Sequence, residues 1–480
     1  MTDCLRLSSG PNVKNLRLLV GAVASGLLFW AGFAPVELWI SPIVAAILLF
    51  WLLAERSYTE RVLISFFAGA AFFLPLLHWS STYVGSFPWL ILALGETLLF
   101  ASISILPIKR NFLGVLVFAA GFTLIELLRM KFPFGGFGWG RLGFTQIESF
   151  AGLYPIVGVT GITFLLLLLS AISLDSIRMR SGILVILSVA FLYPVSQEQT
   201  ADTVKITAVQ GGVDELGLDF NARALSVLQN HIDATPRDSK SDLIIWPENA
   251  VDIDPKTNLQ ARERMQDLFN EIDSALLVGV VEQFQGGPAN SSIMYDADGN
   301  MLTRYTKQDL APFGEYIPLR SIAERISPFA AQVRDFVPGS SWVSHSINGK
   351  NFTSFICFEI LDDDHVRQGA LDTDFLVAQT NNATFGKSSQ AAQQLAMTRA
   401  RAAELGRDFA VVSTTGFTAH LSRDGSIIER IEQFEPGALD MSIAIHDERT
   451  WASHLNSLTW AVFLGLIVAM GARLSVKSNR

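Results

Sequence analysis

The chain has 480 residues, half of them hydrophobic and only 17% charged, with a net charge of −9. That is too apolar for an ordinary soluble protein, and the acidic balance gives no basic surface for a nucleic-acid partner. The apolar residues collect in 15–197 and again in 456–473, whereas 201–455 has ordinary globular composition.

In chain order, seven apolar runs precede the polar insert: 15–33, 37–54, 61–79, 86–108, 111–130, 149–173 and 182–198. One more follows at 456–473. Runs of about 17–25 apolar residues are long enough to cross a bilayer as helices, so about eight spans are expected. The opening segment does not read as a cleavable signal, because its apolar run is too long and the next follows at once. Ionisable residues within the runs are few; Glu96 and Glu126 stand out, and a structural role suits them better than transport.

Loop charge sets an orientation. Arg6, Lys14 and Arg17 precede the first run, Arg56 and Arg61 separate the second and third, and Lys109 and Arg110 the fourth and fifth. Arg178 and Arg180 separate the sixth and seventh, and Arg473, Lys477 and Arg480 close the chain. The alternate loops 34–36 and 80–85 carry no Lys or Arg, and only 129–148 breaks the pattern. Both termini are therefore expected in the cytoplasm and the insert on the far side of the membrane. The division that results is a membrane domain over 1–200, an extracytoplasmic domain over 201–455, and a terminal span with its tail over 456–480.

Within the insert, strands are expected at 204–210, 243–246, 276–281, 352–358, 375–379 and 409–413, and helices at 220–235, 258–273, 362–369 and 388–405. Strands alternating with helices indicate an α/β layered domain. The segment 311–342 carries Phe313, Tyr316, Ile317, Leu319, Phe329, Phe336 and Trp342 among several prolines. The prolines argue against a regular helix there, and the segment reads as a mobile lid at the membrane surface. No CxxC, HExxH or P-loop pattern occurs, so neither a metal nor a cofactor is expected.

Three polar residues fall where strands end. Pro247 stops a strand and turns Glu248 out of it, Lys307 follows the 301–305 run, and Cys357 closes another strand. The chain has two cysteines, and Cys4 lies in the N-terminal tail, so Cys357 has no disulfide partner within the insert. Taken singly, Glu248 also fits a solvated turn, Lys307 a surface lysine and Cys357 a small buried hydrophobe. Together they supply a base, a cation and a nucleophile, the parts needed for acyl transfer through sulfur.

The motifs 244-Ile-Ile-Trp-Pro-Glu-248, Tyr305-Thr306-Lys307, Pro312-Phe313-Gly314-Glu315 and Ile356-Cys357-Phe358-Glu359 resemble the nitrilase (carbon–nitrogen hydrolase) superfamily. With the apolar runs included, nearly the whole chain resembles its membrane-embedded branch, the apolipoprotein N-acyltransferase family. The resemblance implies an αββα sandwich in the insert, with Glu248 as general base, Lys307 as oxyanion stabiliser and Cys357 as nucleophile. It implies supporting or substrate-binding roles for Glu315, Glu359, Phe358, Trp246 and Trp139. It also implies a bacterial inner-membrane enzyme that moves an acyl chain from a phospholipid to diacylated apolipoproteins. The alternative is a membrane-tethered amidase or nitrilase acting on a small amide, for which one anchor would suffice. The chain departs from the family pattern at Gly138, Asn382, Thr384 and Gln394, positions expected to lie away from Glu248, Lys307 and Cys357.

Overall fold

The computed structural model describes residues 11–83, 85–174, 202–213, 224–326 and 333–477. The first part is helical: α1 Pro11–Trp30, α2 Ser41–Leu53, α3 Tyr58–Leu76, α4 Ser86–Ala101, α5 Phe112–Lys131, the single turn α6 Ile147–Phe150 and α7 Tyr154–Leu168. Among the described residues, five helices are long and apolar enough to cross a membrane: Tyr58–Leu76, Ser86–Ile105, Phe112–Lys131, Ile147–Ser173 and Ser457–Leu474. The first two expected spans correspond to shorter apolar helices, Asn15–Trp30 and Ser41–Leu53. Turns at 31–40 take up residues that the hydropathy pattern alone assigned to those spans. The expected seventh span, 182–198, lies outside the described residues, as does Cys4.

The sixth expected span is broken. Gly158 has φ 66° and ψ 179°, which no helix contains. The backbone N–H of Val159, freed by the break, donates to Glu404 Oε1 at 3.1 Å. A Cβ on Gly158 would lie 2.4 Å from that same oxygen, so only glycine admits the cap. Glu96 and Glu126 are structural. Glu96 pairs with Arg129, and Glu126 accepts from the Leu142 N–H and the Thr163 hydroxyl, both at 2.8 Å.

The polar insert contains α8 Ala224–Ala234, α9 Leu259–Phe269, α10 Arg320–Ile326, α11 Asp363–Gly369 and α12 Gln390–Leu405, and α13 Ser457–Lys477 follows it. Its strands are β1 Thr203–Gln210, β2 Leu243–Ile245, β3 Ala275–Phe284, β4 Gly287–Tyr295, β5 Met301–Thr306, β6 His345–Ile347, β7 Lys350–Ile356, β8 Phe375–Thr380, β9 Phe409–Ser413, β10 Thr418–Leu421, β11 Ile427–Ile431 and β12 Gly437–Ala444. They form two six-stranded sheets, in the orders β12-β1-β2-β3-β4-β5 and β11-β10-β9-β8-β7-β6. The centre of each is parallel, β1-β2-β3 and β7-β8-β9, with antiparallel strands added outside.

Alternation of side chains along each strand decides the layering. Ile206, Leu243, Ile245 and Leu277 of one sheet meet Phe352, Phe375, Val377 and Ala410 of the other between the sheets. On the far side of the first sheet, Ile244, Leu276 and Val278 pack on Leu228, Ile232 and Met265 of α8 and α9. On the far side of the second, Phe355, Leu376 and Val411 pack on Leu395 and Ala403 of α12, and that core continues into the membrane helices. The architecture is thus helix, sheet, sheet, helix, with the second outer layer built against the membrane part.

The segment 311–342 is more regular than its prolines suggest, since α10 fits between Pro318 and Pro328. Ile317 is buried, and the Trp342 ring stacks on Tyr305 at 5.2 Å. Phe313 and Leu319 remain exposed, beside a loop whose Phe134 carbonyl accepts the Tyr316 hydroxyl at 2.6 Å. Phe329 falls outside the described residues.

A buried ionic cluster joins the halves. Arg141, in the loop after α5, donates to Asp363 Oδ2 at 2.9 Å and to the Thr160 hydroxyl at 2.7 Å. Arg401 of α12 donates to Asp363 Oδ1 at 2.8 Å and pairs with Glu404. Asp363→Ala would leave two guanidinium groups buried with one carboxylate fewer. Unfolding in detergent should show a loss of about 3–5 kcal/mol, the usual cost of breaking a buried pair from one side. A shift within about 0.5 kcal/mol, the scale of ordinary surface substitutions, would show that the cluster does not hold the halves together.

Candidate active site

Glu248 sits in the turn after β2. Asn249, next to it, has φ 55°, and the turn presses on β3 so closely that a Cβ on Gly279 would lie 2.2 Å from the Pro247 carbonyl oxygen. Lys307 follows β5, its N–H donating to the Asn290 carbonyl at 2.8 Å. Cys357 is the first residue beyond β7 and has φ 52°, a conformation that costs a non-glycine residue energy and is found chiefly where function requires it. The turn leaves the residue partly exposed at the end of the sheet, with its sulfur turned inward among buried polar groups.

The expected residues converge. Lys307 Nζ lies 3.3 Å from Glu248 Oε1 and 2.9 Å from Glu315 Oε1. Asn290 Nδ2 donates to both carboxylates, at 2.7 Å and 3.2 Å, and the Asn381 N–H donates to Glu248 Oε2 at 2.8 Å. Glu315 is fixed in turn by the Ala311 N–H at 2.8 Å.

Glu359 lies on the other side of the cysteine turn. It accepts the Ile356 N–H at 2.8 Å, the Tyr305 hydroxyl at 2.7 Å and the Gln308 N–H at 2.8 Å, and it pairs with His365. Burial alone would raise its carboxyl, but His365 and these donors hold it below the usual range. It therefore ties the end of β7 to the end of β5.

The aromatic candidates make contacts of their own. Phe358 is half-buried and stacks on Phe137. Trp139 is 3% exposed, its indole N–H donating to Gln393 Oε1 at 2.6 Å. Trp246 is buried, with its carbonyl accepting Gln379 Nε2 at 2.6 Å.

Comparison with known proteins follows the same division. Residues 25–172 match the apolipoprotein N-acyltransferase N-terminal domain family, and 205–453 match the carbon-nitrogen hydrolase family. The apolipoprotein N-acyltransferase of Mycolicibacterium smegmatis is 32% identical across 93% of this chain and 83% of its own length. That of Haemophilus influenzae is 30% identical across 91% of each. The chain belongs to the apolipoprotein N-acyltransferase family. An amidase from Nesterenkonia sp. aligns in structure with TM-score 0.40 and 16% identity, over 56% of this chain and 100% of that one.

In this member of the apolipoprotein N-acyltransferase family, three further polar residues complete the surroundings of Glu248 and the thiol. Asn290 and Asn381 hold Glu248, and Gln394 Nε2 lies 3.6 Å from Cys357 Sγ. The last is a correction. Gln394 was expected to stand apart from Glu248, Lys307 and Cys357, yet α12 brings it onto the sulfur, and Asn382 bonds to Gln394 in turn. The polar run Asn290-Ser291-Ser292 gave no sequence signal for Asn290, although all three residues are buried in β4.

Burial and the neighbouring charges act together on the site. It pushes the Glu248 carboxyl up against the pull of Lys307, with the Glu315 charge adding to the rise. For Lys307, burial acts downward, but Glu315 and Glu248 outweigh it and hold the ammonium above the usual lysine range. Burial and then the Glu248 charge push the Cys357 thiol up to about 12, against Lys307 and the Gln394 hydrogen bond. In the resting site the surroundings therefore favour the thiol over the thiolate and the charged form of the lysine.

Alkylation of Cys357 by iodoacetamide should accordingly accelerate about tenfold per pH unit between about pH 7 and pH 10, without levelling off, because the thiolate alone reacts. Glu248→Gln removes a negative neighbour and should lower the apparent thiol pKa, while Lys307→Met should raise it. Peptide mass mapping separates Cys357 from Cys4. A plateau near neutral pH in the native chain would contradict a neutral resting thiol.

Proposed function

We propose that the protein transfers an acyl chain from a membrane phospholipid, through a thioester on Cys357, to the α-amino group of diacylglyceryl-cysteine on bacterial lipoproteins. The observation that carries this reading is the meeting of Cys357, Glu248 and Lys307 in a chain whose family resemblance extends through both the helical part and the insert.

The chemistry follows from the charges. Cys357 Sγ attacks the ester carbonyl carbon while its proton passes to Glu248, whose raised pKa makes it a stronger base than an exposed carboxylate. The carbonyl oxygen gains negative charge beside Lys307, which Glu248 and Glu315 keep protonated and in place. The carbon–oxygen bond breaks, Glu248 returns the proton to the leaving alkoxide, and lysophospholipid departs. The lipoprotein amine then attacks the thioester, loses a proton to Glu248 and expels sulfur, which is reprotonated. In this scheme Glu315 positions Lys307, and Glu359 holds the cysteine turn. Phe358, Trp139 and Trp246 shape the surroundings, Trp139 through Gln393 on the helix that carries Gln394. No metal or cofactor is invoked.

Both substrates are lipids, which accounts for a hydrolase-like domain set against several apolar helices. The membrane domain comprises 1–200 with about seven spans, the catalytic domain 201–455, and the last span with its cytoplasmic tail 456–480. With both termini in the cytoplasm, the positive-inside pattern puts the catalytic domain on the outer face of the bacterial inner membrane. A small-amide hydrolase would need only one anchor.

Cys357→Ala should abolish transfer while the protein still inserts and folds, and Cys357→Ser should be nearly as inactive, since an alcohol is far harder for Glu248 to deprotonate. Glu248→Gln and Lys307→Met should each slow thioester formation by ~10²-fold or more. The double variant should be little worse than either single one, because the residues act as one unit. Phospholipid-dependent acylation of a lipopeptide checks these outcomes, and wild-type turnover by Cys357→Ala would overturn the mechanism.

A further inference from the structure

We propose that Gln394 is a catalytic residue of this site, its carboxamide N–H stabilising the Cys357 sulfur whenever that sulfur carries negative charge. The inference rests on the reading of Cys357 as the nucleophile. Sulfur is negative twice in each turnover, as the thiol gives up its proton to attack the ester and as the thioester collapses under the amine. A donor on the sulfur lowers both barriers.

The hydrogen bonds around the carboxamide favour its N–H end at the thiol. Gln394 Oε1 accepts Asn382 Nδ2 at 2.9 Å and Gln390 Nε2 at 3.2 Å, which leaves Nε2 facing Cys357 Sγ at 3.6 Å. Asn382 is itself hydrogen-bonded throughout. Its Oδ1 accepts the Ser413 hydroxyl at 2.6 Å and the Thr380 hydroxyl at 3.2 Å, and its Nδ2 also donates to Gln390 Oε1 at 2.6 Å. Ser413 Oγ in turn accepts the Gly416 N–H at 2.8 Å. Turning the Gln394 amide over would set its oxygen against the sulfur and its N–H groups against those of Asn382 and Gln390. The donor is therefore held ready before the substrate arrives.

Three further features fit this role. Gln394 is 3% exposed, so water competes little for its N–H. The chain of groups behind it consists of amides and hydroxyls, which keep one protonation state across the working pH range. The neighbouring Gln393 donates to the Ala34 carbonyl at 2.9 Å and accepts the Trp139 indole at 2.6 Å, so the helix carrying Gln394 is anchored to the membrane part. At 3.6 Å the bond to a neutral thiol is long and weak. It shortens and strengthens on a thiolate, because charge-assisted hydrogen bonds are the strong ones.

The test uses the full-length enzyme in mixed micelles of a defined diacyl phospholipid, with Gln394→Met and Gln394→Glu as variants. Two rates are read: iodoacetamide alkylation of Cys357 across pH, and acyl transfer to a lipopeptide resolved into kcat and KM. Gln394→Met keeps the length and loses the donor. It should raise the apparent thiol pKa and lower kcat by about 10- to 100-fold, the worth of a hydrogen bond to a charged group, with the phospholipid KM unchanged. Gln394→Glu puts a carboxylate beside the sulfur and should be slower than Gln394→Met in both assays. Gln394→His keeps a ring N–H within reach and should recover most of the rate.

Wild-type alkylation and kcat in Gln394→Met would overturn the proposal, as would a Gln394→Glu enzyme that outpaces Gln394→Met. If Gln394→Met fails to accumulate in membranes, Gln394→Glu against the wild type decides, and equal alkylation profiles overturn it. Turnover by Cys357→Ala would instead bring down the nucleophile assignment. An inactive Cys357→Ala beside a fully active Gln394→Met refutes the role of Gln394 alone.

Discussion

The buried cluster of Arg141, Asp363, Arg401 and Glu404 is the constraint on which the rest of the molecule depends. Two guanidinium groups and two carboxylates from three separated segments neutralise one another where water is absent. The desolvation they suffer is tolerable only because nearly every donor and acceptor is used. Arg401 also donates to the Ile360 and Leu361 carbonyls at 2.8 Å and 3.0 Å, so it grips the far end of the turn that begins at Cys357. Both guanidinium groups lie over the Phe144 ring. Glu404 caps the helix segment that restarts at Val159. The position of the thiol relative to the apolar helices is thus fixed by these ion pairs together with the apolar core and the Gln393 hydrogen bonds that also join the two parts.

A second constraint acts within the site. Glu248 and Glu315 share one lysine and one asparagine, so each of the four side chains is held by at least two of the others. Removing Lys307 would leave two carboxylates facing each other, while removing Glu315 would free Lys307 to swing away from the thiol. The strained φ of Cys357 is sustained from both sides, by Glu359 at the end of β7 and by Arg401 beyond the turn. Strain at one residue persists because the surroundings over-determine it.

The fold was legible where periodicity was strong. β1, β2, β7, β8 and β9 carry apolar residues suited to burial on both faces, and the expected ranges met them. β4 was missed because Asn290, Ser291 and Ser292 are polar although buried. β10 to β12 carry mixed apolar and polar residues that do not single out strands, and α10 lies between prolines that argue against regular structure over the whole segment. At the site, Glu248, Lys307, Cys357 and Glu315 could be read because each sits in a compact motif. Gln394 could not, since its contact with Cys357 depends on how α12 lies across the sheet. Arg141 and Asp363 were equally hidden, because nothing local in either segment announces a partner more than two hundred residues away.

The most direct measurement is the intact mass and peptide map of the purified full-length protein after exposure to phospholipid, without any acceptor. The account predicts one added acyl chain, located on Cys357, absent from Cys357→Ala and discharged when a lipopeptide amine is supplied. An unmodified protein that nonetheless transfers acyl chains, or an adduct on any other residue, would contradict it.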